Sequence, residues 1–134
     1  FSVEKSTLQS MPETLRKMQS AFNLTGSIHA SALFDHNGNL LAFREDVGRH
    51  NALDKLIAHG LLKKINLSNC VLLLSGRISF ELVQKAAMAG IPVIAAIGAP
   101  SSLAVELAEK MNISLIGFLK NSGFNQYAHF DRIV

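Results

Sequence analysis

Apolar residues recur along the chain with two different periods, and the switches between them mark out its elements. Met11, Leu15, Met18 and Phe22 are spaced for one face of a helix. Ser10-Met11-Pro12-Glu13 has the form of a capping box, with Ser10 at the N-cap, Pro12 in the first turn and Glu13 at the third helical position. The pattern predicts a helix to about Ala21, broken by Thr25-Gly26. Ile28–Phe34 and Leu40–Arg44 read as strands joined by the turn Asp35-His36-Asn37-Gly38, a hairpin. Ala52, Leu53, Leu56, Ile57 and Leu61 form a helical stripe over Gly48–Leu61. Val71–Leu74 is a short, wholly apolar strand, Ser79–Ala89 a helix closed by Gly90, and Pro92–Ala96 another apolar strand. Ser102–Met111 is a helix with Leu103, Leu107, Ala108 and Met111 on one face. Ser114–Phe118 reads as the last strand and Asn121–Val134 as a polar tail.

The order α-β-β-α-β-α-β-α-β, with continuous apolar strands, predicts an α/β fold of three layers. Its sheet is mixed and mostly parallel, with helices on both faces. In such sheets ligands sit beyond the carboxyl ends of the strands, where loops lead into helix N-termini.

Three loops of that kind carry unusual chemistry. In Arg44-Glu45-Asp46-Val47-Gly48-Arg49-His50-Asn51, seven of eight residues are polar or Gly. Asp46 is placed to cap the following helix, and Gly48 allows a ligand to approach the backbone. Ser75-Gly76-Arg77 before Ser79 offers free N–H groups, a helix dipole and a guanidinium, the chemistry of an anion seat. Gly98-Ala99-Pro100-Ser101-Ser102 again puts small residues and hydroxyls at a helix start.

Composition narrows the choices. The chain has 134 residues, enough for one domain with a real core, and 49% of them are hydrophobic, which excludes a disordered chain. A single Cys excludes a disulfide framework. No apolar run approaches the roughly 18 residues of a membrane span, so no membrane partner is expected. The first residues, Phe1-Ser2-Val3-Glu4, have neither an initiator Met nor a signal-peptide pattern, and read as the start of a fragment of a longer, cytoplasmic protein. The net charge of +3 is spread over scattered basic residues, with one Tyr and no Trp to stack on bases, so no nucleic-acid partner is expected. Phosphate-loop, dinucleotide and hydrolase-elbow motifs are absent. The five His residues fall at no metal-binding spacing, so no metal site is expected. His36 and His59 read as solvated. His29 and His50 are the two that can face the loops, His50 with Asp54 one turn on. Cys70 opens a buried strand and reads as a small apolar residue.

Taken in order, these segments resemble the FdhD family of formate dehydrogenase accessory proteins. The match is carried by Thr25-Gly26-x-x-His29; Glu45-Asp46-Val47-Gly48-Arg49-His50-Asn51-Ala52-Leu53-Asp54-Lys55; Ser75-Gly76-Arg77-x-Ser79-Phe80-Glu81-Leu82-Val83-Gln84-Lys85-Ala86; Ala89-Gly90-Ile91-Pro92; Ala99-Pro100-Ser101-Ser102-Leu103-Ala104-Val105; and Gly117-Phe118, then Asn125-x-Tyr127.

The resemblance implies a cytidine-deaminase-like fold, without the deaminase zinc ligands. It implies a sulfurtransferase-type carrier that takes sulfur, as a persulfide, from a cysteine desulfurase. Delivery is to the molybdenum cofactor of formate dehydrogenase, in its bis-molybdopterin guanine dinucleotide form. The rival reading is a cofactor chaperone with no sulfur chemistry of its own. The family's sulfur-bearing Cys-x-x-Cys lies upstream of Phe1, so residues 1–134 are expected to be the cofactor-binding part, with no catalytic residue in this chain. The family's cofactor segment maps onto Phe118, Leu119, Lys120, Asn121, Ser122 and Gly123, with Gly123 standing where a basic residue is frequent. Arg49, Arg77 and Lys120 are the candidates for the phosphates; His29, His50, Ser101 and Ser102 are candidates for further contacts. GDP is a fragment of the expected ligand, and a homodimer is the family expectation.

Overall fold

The computed structural model describes residues 1–19 and 28–134. Helix α1 (Lys5–Gln19) comes first, then the hairpin β1 (His29–Phe34) and β2 (Leu40–Asp46). Helix α2 (Arg49–Leu62), strand β3 (Val71–Leu74), helix α3 (Phe80–Met88), strand β4 (Val93–Ala96) and helix α4 (Ser102–Lys110) alternate after it. Strands β5 (Ser114–Lys120) and β6 (Gly123–Ala128) close the chain. The six strands form one sheet in the order β2-β1-β3-β4-β5-β6.

The three-layer α/β expectation holds. One apolar layer joins Leu8, Met11 and Leu15 of α1 to Ala32, Phe34, Leu73 and Val93 on one sheet face. The other joins Leu53, Leu56, Leu82, Ala86, Ala104 and Ala108 of α2 to α4 to Leu33, Leu72 and Ile94 on the opposite face. Period-two alternation along β3 and β4 assigns successive residues to opposite layers, as a sheet covered on both sides requires.

Strand direction is finer than the sequence suggests. β3–β4 and β4–β5 are parallel, while β1–β2, β1–β3 and β5–β6 are antiparallel. Four of the six strands therefore point one way, yet only two of the five neighbouring pairs are parallel. The expected polar tail is the reason at one end: Gly123–Ala128 turns back as the edge strand β6. An edge strand needs little apolar content, so its polarity hid it. The result is one edge at which β2, β3, β4 and β5 end and β1 and β6 begin.

The first helix also differs. It starts at Lys5, with Leu8 N–H donating to the Glu4 carbonyl at 3.0 Å, and Leu8 is fully buried. Ser10 is therefore inside the helix, its hydroxyl donating to the Thr7 carbonyl at 2.6 Å, and not its cap. Val3, bridged to Ile133, fixes the chain ahead of it. Ala21, Phe22, Thr25 and Gly26 lie outside the described residues. On α4 the buried face is Ala104 and Ala108, while Leu103 and Met111 are exposed. Ser101 caps the helix, which packs beside α3 and against β5 and β6. No helix among the described residues is long and apolar enough to cross a membrane.

Candidate functional site

The loops at the carboxyl edge are bonded to one another through their backbones. Ser75 N–H donates to the Ala30 carbonyl at 3.0 Å, and the Ser75 hydroxyl oxygen accepts from Ala30 N–H at 2.8 Å. This clamps the start of β3's loop to β1. Gly98 N–H donates to the Gly76 carbonyl at 3.2 Å, and Phe118 N–H donates to the Gly98 carbonyl at 3.1 Å. Ile78 and Ser101 bond the same two loops again, through Ile78 N–H to Ala99 and Ser101 N–H to Ile78. The approach is too close for a side chain at position 98: a Cβ there would lie 2.9 Å from the Gly76 oxygen. The His29 ring lies against Gly76, where a Cβ would meet its Nδ1 at 3.1 Å.

Phe118 is the strained residue of this edge. Its φ of +52° is in the left-handed region that aromatic side chains rarely occupy. The β5–β6 register shifts between Gly117 and Lys120. This bulge leaves Phe118 outside and returns Leu119 to the core. Lys120, Asn121 and Ser122 follow, exposed at the turn into β6.

Beside these loops, between α1 and the sheet edge, lies a cleft of about 1100 Å³. Its described walls are His29, Ser75, Gly76 and Ile97 on the sheet side and Leu119, Lys120 and Asn121 at the turn. The third wall is α1, through Gln9, Glu13, Arg16 and Gln19. The candidates thus divide. His29, Leu119, Lys120 and Asn121 border the cleft. Arg49, His50, Arg77, Ser101, Ser102, Phe118, Ser122 and Gly123 lie outside its described walls. None of these α1 residues was a site candidate in the sequence, where Glu13 entered only as part of the expected capping box.

On the far side of the edge, Arg49 and His50 begin α2 near Glu81 of α3. Glu81's carboxyl is held below the usual range by its own backbone N–H and the Ser79 hydroxyl, then by the charges of His50 and Arg49. Arg49 Nε is shielded from solvent and has no hydrogen-bond partner. Arg77 is exposed. Ser101's hydroxyl oxygen accepts from Ala104 N–H at 3.1 Å and so caps α4, and Ser102 is the first, exposed residue of that helix. Ser79 caps α3 in the same way.

Three local expectations change. Asp46 belongs to β2, and its carboxylate accepts from Gly48 N–H at 2.9 Å and pairs with Lys55 at 2.6 Å; the residue at the cap of α2 is Gly48. Hydrogen bonds from Lys55 and Gly48 hold the Asp46 carboxyl below its usual range. Asp54 is held by Lys85 at 2.7 Å, which leaves His50 without that orienting partner. His59 is half-buried, its Nδ1 2.6 Å from Arg44 Nη2, where the sequence suggested a solvated ring. Cys70 is buried and donates to the Asn66 carbonyl at 3.4 Å; burial, and then Asp35, push its thiol up to about 11. Among the described residues no group of three or more His, Cys, Asp and Glu is close enough to hold a metal ion.

The model of the FdhD/NarQ family matches residues 1–134. The chain belongs to the FdhD/NarQ family. It is 53% identical over 133 residues to the sulfur carrier protein FdhD of Mycobacterium tuberculosis, covering 98% of this chain and 48% of that protein. It is 49% identical over 134 residues to the protein of the same name from Saccharolobus solfataricus, covering 99% and 52%. The chain therefore spans about half the length of the curated relatives it matches. A solved chain described as a formate dehydrogenase accessory protein, from Desulfotalea psychrophila, superposes with a TM-score of 0.92 at 29% identity, over all of this chain and 57% of that one. The guanine deaminase of Nitrosomonas europaea superposes with a TM-score of 0.64 at 13% identity, over 91% and 80% of the two chains. That likeness concerns the fold alone, and it agrees with the cytidine-deaminase-like expectation.

Proposed function

We propose that this chain is the cofactor-holding half of a sulfur carrier that serves formate dehydrogenase. Its ligand is a guanine dinucleotide of the bis-molybdopterin form of the molybdenum cofactor. The observation that carries this reading is the cleft, in a chain half identical to proteins named sulfur carriers. Ligand pockets of drug-sized molecules run about 300–1,000 Å³, so the cleft has room for one dinucleotide half. The Gly76 N–H, the Lys120 ammonium and the His29 ring are the polar groups a phosphate would meet there. Arg77 and Arg49, at the starts of α3 and α2, are placed to meet phosphate that extends past the edge.

The sulfur itself rides elsewhere. A thiol with a pKa near 11 and no exposure is neither a nucleophile nor a persulfide carrier at neutral pH, so Cys70 takes no part. In this reading the persulfide sits on cysteines outside these residues, loaded by a cysteine desulfurase in the cytoplasm, and two copies of the chain assemble around the two-pterin cofactor. The buried Cys70 equally suits a pure chaperone. Replacing the cysteines of a full-length relative separates the two readings: lost activation of formate dehydrogenase supports the carrier, and retained activation supports the chaperone.

Calorimetric titration of this chain with GDP tests the site. Saturable binding is expected, weakening as salt rises. A charged hydrogen bond is worth about 1.5–3 kcal/mol, so Lys120→Ala should cost roughly 10- to 150-fold. Arg77→Ala should cost the same or less, because Arg77 stands outside the cleft wall. Absence of GDP binding by the parent chain, or full affinity in both variants, rules the site out.

A further inference from the structure

We propose that helix α1 is a working wall of this site. In it, Arg16 leaves Glu13 to bind a phosphate of the ligand that Lys120 meets from the opposite side. The inference rests on the reading of the cleft as a nucleotide site.

The phase of α1 turns a polar stripe towards the cleft. Leu8, Met11 and Leu15 anchor it to the sheet. Gln9, Glu13 and Arg16 recur at helical spacing on the adjoining stripe, and all three border the cleft. A polar stripe on a surface helix normally faces solvent; this one faces a cavity whose other walls are Gly76, His29 and Lys120.

The charged groups on the described walls are Glu13, Arg16 and Lys120. Arg16 and Glu13 form an ion pair three residues apart. The backbone of Lys120 pairs with Gly123, but its ammonium has no hydrogen bond or ion pair to a described residue. With one pair internally neutralised, the described walls present a single uncompensated cation, and an anion entering the cleft meets a second cation held by a weak partner. The pair is weak because it is open to water: the side chains are 73% and 54% exposed. A guanidinium makes two parallel bonds to a phosphate, and that geometry is stronger than an exposed pair with one carboxylate. Exchange of Glu13 for phosphate is thus downhill for Arg16. Glu13, left beside an anion, then works against binding.

This gives the two members of one ion pair opposite effects. GDP is titrated into the parent chain, Arg16→Ala, Arg16→Lys, Glu13→Gln and Lys17→Ala, with guanosine as the ligand lacking phosphate. Arg16→Ala should weaken GDP roughly 10-fold, the lower end for a charged hydrogen bond. Arg16→Lys should recover part of that, and Lys17→Ala, which does not border the cleft, should change nothing. Glu13→Gln should bind GDP more tightly than the parent, by about 2- to 5-fold, on the scale of an exposed ion pair. Guanosine affinity should be the same in all of them. If Arg16→Ala binds GDP like the parent while Lys120→Ala does not, the α1 inference is wrong and the site reading survives. If Glu13→Gln weakens GDP and guanosine alike, Glu13 is a base ligand and the exchange is wrong. If the parent does not bind GDP, both readings fall.

Discussion

The side chain of Gln9 in α1 bonds the backbone of Asn121 in the β5–β6 turn, 112 residues away: Nε2 donates to the Asn121 carbonyl at 3.3 Å. With the amide turned over, its oxygen accepts from Gly123 N–H at 3.2 Å and its nitrogen donates to the Lys5 carbonyl at 3.2 Å. Either orientation fastens the helix to the turn that carries Lys120. A net hydrogen bond is worth about 0.5–1.5 kcal/mol, so Gln9→Ala should weaken GDP by roughly 2- to 12-fold through a looser turn. The thermal midpoint should fall by only about 2–5 °C, the loss of one such bond in a chain of this size. Unchanged GDP affinity in Gln9→Ala would show that the turn holds its shape without α1.

The loops after β3 and β4 were legible because their chemistry is local. Ser75-Gly76-Arg77 and Gly98-Ala99-Pro100-Ser101 put small and capping residues between an apolar strand and an amphipathic helix, and that is a property of adjacent residues. The wall formed by Gln9, Glu13 and Arg16 was not legible. A polar stripe on an amphipathic helix has the same sequence whether it meets water or a cleft, and only the packing of Leu8, Met11 and Leu15 decides which. β6 was missed for a related reason: Phe124 packs on the α1 side of the sheet and Tyr127 and Ala128 on the other, and a bulge at Tyr127 breaks the alternation that marks a strand. Arg44 and His59 lie 15 residues apart on different elements, so their pairing depends on the hairpin folding over α2.

Gly98 should tolerate no side chain. A Cβ there would lie 2.9 Å from the Gly76 oxygen, 3.0 Å from its carbonyl carbon and 3.1 Å from Arg77 N, all backbone atoms. Relief requires moving the Ser75-Gly76-Arg77 loop. Gly98→Ala should cost about 1–3 kcal/mol in urea unfolding, as overpacking does, and should also weaken GDP. Gly90→Ala is the contrast. Its φ is +81° with nothing within 4 Å of a Cβ, so it should lose stability through backbone strain alone and keep parental GDP affinity. Equal GDP affinity in both variants would break the link between the Gly76–Gly98 contact and the site.

Cys70 should stay unmodified in the folded chain. With a thiol pKa near 11, roughly one molecule in a thousand carries the thiolate at pH 8. Incubation with a cysteine desulfurase and its substrate should add no sulfur to this residue by mass spectrometry, while alkylation should become complete in urea. The same burial predicts alkaline sensitivity. The folded thiol holds its proton above the unfolded value of 9.0, so its contribution to stability is whole below pH 9 and is lost as pH rises towards 11. A stoichiometric persulfide on Cys70 would overturn the assignment of sulfur to cysteines elsewhere.

The Arg44–His59 pair sets an acid limit on the fold. Arg44 Nη2 lies 2.6 Å from His59 Nδ1, and its Nη1 donates to the Phe43 carbonyl at 2.5 Å. A guanidinium only donates, so Nδ1 is the unprotonated, accepting nitrogen of the ring. Protonating His59 would remove that acceptor and set two cations side by side. Burial first, then the charges of Arg44 and Lys63, accordingly hold the His59 pKa below its ordinary 6.5. The unfolded chain therefore takes up a proton near pH 6.5 that the folded chain refuses. Stability is whole above that pH and falls as pH drops below it. His59→Gln keeps an amide oxygen for Arg44 and has nothing to titrate. Urea midpoints measured for parent and variant from pH 8 to pH 5 should run parallel above about pH 6.5. Below it they should diverge, with the parent losing more. Parallel curves over the whole range would mean that the ring is free to charge in the fold, and that Arg44 is held by the Phe43 carbonyl alone.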